Sequence, residues 1–259
     1  MSHITLIFLH GNSSSSKEWE RVVDILSGRC KCLSWNLFGH GNEDSLLNPS
    51  LSAQTQFIYD RILKEIEEDY ILVGHSLGGH VAIQVTALAE MVGTAVPSGL
   101  ITIGTPPISK KDIGIKPWIP NDDVKEVFPL LLKEEQFTYE EARDFVRCQG
   151  FPEEDLETFI SIAKSVDGRG RLVARECLQP DDSVVDEYEY ISKLNNRIPY
   201  MCLQGENDGG VNTDYLKSLS HSLIIIPEAE HAAPWTHPRE VSDCITRFIS
   251  FVLAPGISI

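Results

Sequence analysis

Basic residues are scarce in this sequence of 259 residues. Lysine and arginine together number 22 against 38 aspartates and glutamates, which leaves a formal net charge of −16 at pH 7. No run of lysine and arginine offsets this charge locally, so the chain should repel phosphate backbones and anionic lipid. We therefore expect neither a nucleic acid nor a membrane as a partner.

Cysteines and long apolar runs are also few. The six cysteines include no CxxC pair and no histidine at zinc-binding spacing, so we expect no metal, no other cofactor and a reduced, cytoplasmic setting. The apolar run at residues 4–9 is too short for a signal peptide or a membrane span. It predicts a buried strand instead.

What the sequence does contain is an alternation of short apolar runs with helix-patterned segments. This rhythm predicts an α/β protein with a mostly parallel sheet flanked by helices. The predicted strands of the first half are residues 4–9, 30–37, 70–74 and 99–104. The predicted helices between them are residues 17–26, 52–67 and 77–91.

The alternation stops near residue 105. Residues 106–196 are acidic, helix-patterned and interrupted by prolines, which predicts a helical cap inserted into a core made of residues 1–105 and 197–259. Strands are predicted again at residues 199–204 and 222–226, and a final helix at residues 238–253.

The motif with the most specific chemistry is Gly74-His75-Ser76-Leu77-Gly78. It fits the G-x-S-x-G nucleophile elbow, and it lies where that motif must lie, between a buried strand and a helix. The flanking glycines leave room for a strained turn that exposes the serine, and the helix N-terminus favours the negative charge formed during acyl transfer. Ser76 is therefore the predicted nucleophile.

Five motifs together resemble the α/β-hydrolase superfamily. They are HGN at residues 10–12, FGHG at 38–41, GHSLGGH at 74–80, GEND at 205–208 and AEHAAP at 229–234. The resemblance implies the α/β-hydrolase fold, with the cap after the sixth family strand, in a chain that begins at the family's third strand. Asn36 departs from the pattern, because many relatives carry aspartate there; this concerns the loop rather than the catalytic residues.

The resemblance also implies the partners of Ser76, which follow it in the order acid, then histidine. His231 follows the predicted strand 222–226 and is the expected base, whereas His221 precedes that strand and His237 stands at the entry to the last helix. Asp208 is the expected acid that orients the histidine, with Glu206 as its competitor.

The expected oxyanion donors are the backbone N–H groups of Leu77 and Asn12, with the Asn12 side chain as an additional candidate. His10 is expected to shape the loop that carries Asn12.

Within the superfamily, four stretches look like the α/β-hydrolase N-acyl-homoserine lactonases. They are HGNSSSS, SLGGH, ITIGTPP at residues 101–107 and VDGRGR at 166–171. The resemblance implies a helical cap that holds the acyl chain above the serine and a cap aromatic that helps to bind the lactone. Phe145 and Tyr139 are the candidates for substrate binding, with Phe137 and Phe151 as others, although aromatics at helical spacing are also typical of a cap core.

The resulting hypothesis is a serine hydrolase that opens N-acyl-homoserine lactones through an acyl-enzyme, as a monomer or homodimer acting on a small molecule. A general short-acyl carboxylesterase would use the same residues. A dehalogenase is disfavoured, because its nucleophile is a carboxylate. A non-catalytic small-molecule-binding homologue is the alternative from another class.

Overall fold

The computed structural model describes residues 4–44, 49–194, 197–219 and 222–254. In this part of the chain, six strands form one parallel sheet in the order β2-β1-β3-β4-β5-β6. The strands are β1 (Thr5–Leu9), β2 (Lys31–Trp35), β3 (Tyr70–His75), β4 (Gly99–Ile103), β5 (Tyr200–Gly205) and β6 (Ser222–Ile226). The predicted α/β-hydrolase fold is confirmed.

Helices connect the strands and cover the sheet. Those of the first half are α1 (Glu20–Leu26), α2 (Leu51–Glu65) and α3 (Leu77–Val92). Between β4 and β5 lie α4 (Asp122–Lys125), α5 (Tyr139–Arg147), α6 (Leu156–Ser165), α7 (Gly168–Arg171), α8 (Ala174–Leu178) and α9 (Glu187–Ser192). The last are α10 (Thr213–Lys217), α11 (Ala233–Thr236) and α12 (Pro238–Leu253). No helix of the described residues is long and apolar enough to cross a bilayer.

The central strands are buried on both faces, which explains their continuous apolar sequences. Alternate side chains of each strand enter different cores: Leu72 packs with α2 and α3 on one face, whereas Ile71 and Val73 pack with α1 and α12 on the other. Because all six strands are parallel, their carboxyl ends meet at one edge of the sheet.

Two predicted elements of the first half differ from the observed ones. The helix predicted at residues 17–26 begins instead as a short 3₁₀ turn, Ser16–Trp19, whose N-cap is the Ser15 hydroxyl, and only then continues as α1. The strand predicted at residues 30–37 is confined to β2, which pairs with β1 alone at the edge of the sheet.

The helices between β4 and β5 enclose an aromatic cluster of their own. Phe137, Phe145, Phe151 and Phe159 are buried there together with Trp235 of α11. This cluster holds α5 and α6 over the loop that follows β6. Thr138 and Glu141 begin α5 with a reciprocal capping box, which satisfies backbone N–H groups at the helix start.

Candidate active site

Ser76 lies in a strained turn between β3 and α3. Its backbone has φ 50° and ψ −117°, outside the regions that ordinary residues adopt. Glycine is required on both sides: a Cβ at Gly74 would lie 2.3 Å from the carbonyl oxygen of Gly78, and one at Gly78 would lie 2.3 Å from that of Leu9. The turn therefore holds the serine at the carboxyl edge of the sheet, as the G-x-S-x-G pattern predicts.

His231 and Asp208 form a hydrogen-bonded pair at the same edge. Nδ1 of His231 lies 2.7 Å from Oδ2 of Asp208, in the loops after β6 and β5. The other carboxylate oxygen accepts from the backbone N–H groups of Gly210 at 3.0 Å and Val211 at 3.3 Å. Because a carboxylate only accepts, Nδ1 carries the proton and Nε2 is left to act as a base.

Burial and charge act in opposite directions on this pair. Burial favours protonated Asp208, but the charge and hydrogen bond of His231 and the two backbone donors outweigh it and lower the pKa of Asp208 to about 2. Burial likewise favours neutral His231, yet the Asp208 carboxylate outweighs it and raises the pKa of His231 above its usual value. Asp208 is thus ionised at neutral pH and can stabilise an imidazolium.

Ser76, Asp208 and His231 line one cavity. Ser76 Oγ and the ring of His231, which both belong to the described residues, form no hydrogen bond with each other. Such bonds are often long before substrate is bound. The competitor Glu206 accepts instead from the backbone N–H of Glu228, and His237 bonds to Thr236. His221 lies outside the described residues.

The two expected oxyanion donors flank Ser76. Leu77 N–H is at the first position of α3, and neither it nor the N–H of Asn12 donates to any described residue. The Asn12 side chain is engaged elsewhere, since its Nδ2 donates to the carbonyl of Arg171 at 3.3 Å. The backbone groups are therefore available to an oxyanion, whereas the side chain ties its loop to α7.

His10 shapes this loop as expected from the sequence. Its Nδ1 lies 2.7 Å from the carbonyl of Gly11, and its Nε2 accepts from Leu37 N–H at 3.1 Å. Burial lowers the pKa of His10 despite the nearby charge of Glu18, so the ring is the neutral tautomer that both bonds require.

A pair that the sequence did not reveal connects the loops of the site. Oε1 of Glu18 lies 2.6 Å from Nδ1 of His75, and Nε2 of His75 donates to the carbonyl of His231 at 2.9 Å. Glu18 also accepts from Gly11 N–H at 3.3 Å. Burial would raise the pKa of Glu18, but the opposing charge of His75 holds it below its usual value. One buried carboxylate thereby joins the oxyanion loop, the elbow and the histidine loop.

The cavity has an apolar wall supplied by residues before and within α5. Phe145 lines it, as do Trp118, Val124, Val127, Phe128 and Leu131. Tyr139 does not: its ring is 40% exposed and its hydroxyl bonds to Glu157 on the outer surface. Of the two cap aromatics that the resemblance suggested, Phe145 and Tyr139, only Phe145 lines the cavity. Among the described residues, no group of three or more histidine, cysteine, aspartate or glutamate side chains is arranged to hold a metal ion.

Comparisons with known proteins identify the family of this chain. The model of the alpha/beta hydrolase family matches residues 6–243. The pimeloyl-[acyl-carrier protein] methyl ester esterase of Nitrosomonas europaea is 26% identical over 92% of this chain and 93% of its own length. The biotin biosynthesis bifunctional protein BioHC of Teredinibacter turnerae is also 26% identical, over 94% of this chain, which spans only 44% of that protein.

Solved structures share the fold at lower identity. The N-acyl homoserine lactonase AidH complexed with N-hexanoyl homoserine superposes with a TM-score of 0.81 at 19% identity, covering 99% of this chain and 91% of that one. A thermophilic esterase from Thermogutta terrifontis gives 0.74 at 17% identity, covering 98% of this chain and 92% of that one.

Proposed function

This chain belongs to the alpha/beta hydrolase family, and on that premise we propose that it is a serine hydrolase that cleaves carboxylic esters or lactones through an acyl-enzyme. The observation that carries the proposal is the position of Ser76, in a strained elbow that shares one cavity with an Asp208-bonded His231. This is the constellation that acyl transfer needs.

The proposed reaction starts with attack of Ser76 Oγ on the carbonyl carbon while Nε2 of His231 takes the proton. The N–H groups of Leu77 and Asn12 hold the oxyanion. His231 then protonates the leaving alkoxide, and water, deprotonated by the same imidazole, cleaves the acyl-enzyme. With a lactone, the alkoxide stays tethered to the acyl group, so a single ring-opened hydroxy acid is released.

We propose an N-acyl-homoserine lactone as the substrate. The resemblance of HGNSSSS, ITIGTPP and VDGRGR to lactonases supports this choice, as does the name of the structural neighbour AidH. The cavity is compatible with an ester or lactone substrate, because its wall of Trp118, Phe128, Leu131 and Phe145 is apolar.

A short-acyl carboxylesterase is the second candidate. The observation in its favour is the relative from Nitrosomonas europaea, whose name specifies a methyl ester and which aligns along nearly its whole length.

The test has two stages. A fluorophosphonate probe should label the wild-type protein and leave Ser76→Ala unlabelled; an unlabelled wild type would favour a non-catalytic binding protein. Purified enzyme is then assayed with N-butanoyl- and N-hexanoyl-homoserine lactone beside 4-nitrophenyl and methyl esters of the same acyl lengths. Ester turnover without lactone turnover would replace the lactonase proposal with the esterase.

A further inference from the structure

A second, smaller cavity adjoins Ser76 and contains a histidine that the mechanism does not use. It shares Asn12, Ser76, Trp118 and Leu131 with the first cavity. Its other walls are Leu77, His80, Ala174, Cys177 and Leu178. His80 lies four residues after Ser76, so its side chain covers the same face of α3, one turn further along.

The orientation of His80 is fixed by a buried carboxylate. Nδ1 of His80 lies 2.7 Å from Oε2 of Glu187, which is fully buried. The same carboxylate accepts from the backbone N–H of Ile108 at 2.9 Å and from Nε2 of Gln84 at 2.8 Å. Since the carboxylate only accepts, Nδ1 of His80 carries the hydrogen of their bond.

The other ring nitrogen is left without a partner. The side chain of His80 is only 2% exposed, and its buried Nε2 has no hydrogen bond to any described residue. A neutral imidazole with its hydrogen on Nδ1 has Nε2 as an acceptor. A buried acceptor without a donor is unfavourable in the free protein, and a ligand that supplies the donor removes this penalty. His80 lines the cavity beside Ser76, so a ligand bound in that cavity lies against its ring.

The position of His231 identifies which part of the substrate enters this cavity. His231 protonates the leaving oxygen, so the leaving group must lie on the side of the first cavity, which His231 lines. The second cavity contains the oxyanion residues Leu77 and Asn12 but not His231. It therefore faces the acyl side of the scissile bond.

We infer that His80 is a specificity-determining residue whose Nε2 accepts a hydrogen bond from a hydroxyl or amide N–H in the acyl part of the substrate, close to the scissile carbonyl. This inference rests on the proposed function and deepens it. A homoserine lactone carries such an N–H on the carbon beside its carbonyl, and a 2-hydroxy acid ester carries a hydroxyl there. The apolar walls Ala174, Cys177 and Leu178 suit a short remainder of the acyl group.

The test compares matched substrates with and without the donor. One pair is N-butanoyl-homoserine lactone and the analogue whose amide N–H is replaced by CH₂; the other is methyl 2-hydroxybutanoate and methyl butanoate. In the wild type, kcat/KM should be about 10- to 100-fold higher for the donor-bearing member of at least one pair. The substrate pair that shows this difference in kcat/KM identifies the donor as an amide N–H or as a hydroxyl.

In His80→Leu, this preference should fall to within about threefold, because leucine offers no acceptor to the donor-bearing member. Because both members are measured on the same protein, poor folding lowers both and cancels in the ratio. Leu178→Ala is the matched control: it alters the same cavity, keeps the acceptor and should retain the preference.

Three results would overturn the inference. The first is a wild-type kcat/KM that is nearly the same for the two members of both pairs. The second is an equal loss of kcat/KM for both members in His80→Leu, so that the preference is kept. The third is turnover of none of the four compounds by an enzyme that fluorophosphonate still labels. The proposed function itself fails separately, by absence of labelling at Ser76.

Discussion

Two histidine–carboxylate pairs adjoin Ser76, and they are nearly identical in local geometry. In each, Nδ1 of the histidine lies 2.7 Å from a buried carboxylate that also accepts two further hydrogen bonds. Yet His231 belongs to a loop and lines the first cavity, whereas His80 belongs to α3 and lines the second. A histidine–carboxylate pair therefore does not by itself identify a general base; the cavity that the histidine lines must be considered as well.

The two carboxylates should differ most in their influence on kcat. Asp208→Asn should lower kcat about 10⁴-fold, because an amide cannot hold His231 in the required tautomer or stabilise the imidazolium. Glu187→Gln should lower kcat on a donor-free ester by less than about tenfold, because His80 does not exchange protons with Ser76 in the proposed reaction. Steady-state assays of both variants on methyl butanoate, or on any donor-free ester that the wild type hydrolyses, check this prediction.

The comparison would fail if both substitutions reduced kcat equally. His80 would then belong to the proton-transfer path, and its role as a binding residue would have to be abandoned.

The second prediction concerns the free energy of unfolding, to which Glu187 should contribute strongly. Glu187→Ala should lower the free energy of unfolding by about 3 kcal/mol, because it leaves His80 Nδ1 and Ile108 N–H buried without their acceptor. Gln84 Nε2 would lose one of its two acceptors. Urea denaturation measures the difference. Glu189→Ala is the control on the same helix: its carboxylate is bonded to two exposed lysines, where water screens the charges, and its removal should change the free energy of unfolding little. Equal losses would show that the buried carboxylate is not the anchor of its pair.

The two pairs also mark how far sequence reasoning reaches. The loops of Asp208 and His231 follow apolar strands, and in a parallel sheet the ends of such strands meet, so their meeting at one edge could be predicted. His80 and Glu187 are separated by 107 positions, and Glu187 enters from a short helix whose packing no periodic pattern specifies. Glu18 and His75 were missed for the same reason.

Periodicity also failed to distinguish the cap aromatics. Phe145 and Tyr139 both belong to α5, but only Phe145 reaches the cavity. Which face of a short helix is turned toward the substrate depends on how the helix packs on its neighbours. In this protein that packing is set by α6 and by Trp235, which lies far away in the sequence.

The third prediction uses pH to assign the base. His231 must be neutral to accept the serine proton, and Asp208 raises its pKa above its usual value, so kcat/KM should fall as pH decreases through a midpoint higher than that of an ordinary histidine. Well below that midpoint the loss is about tenfold per pH unit. Glu187→Gln should leave the midpoint unchanged. A midpoint that moved with Glu187 and not with Asp208 would reassign the titrating histidine to the other pair.

A third histidine–carboxylate pair, Glu18 and His75, should have the smallest influence on kcat. Both ring nitrogens of His75 face protein acceptors, so this pair contacts no substrate and can act only by positioning the loops of Gly11 and His231. Glu18→Gln keeps the side-chain size and removes the charge. We expect kcat to fall only about tenfold, less than the roughly 100-fold that a misplacement of 1 Å causes.

Its distinctive readout is the pH profile, because the charge of Glu18 contributes to raising the pKa of His231. Removing that charge should move the acidic limb of kcat/KM toward lower pH, a shift that a merely structural role would not produce. Glu20→Gln removes the same charge from the exposed surface of α1, where water and salt screen it, and should leave the limb in place. Equal shifts in both variants would mean that the limb responds to net charge, and that the buried contact of Glu18 has no separate influence on the base.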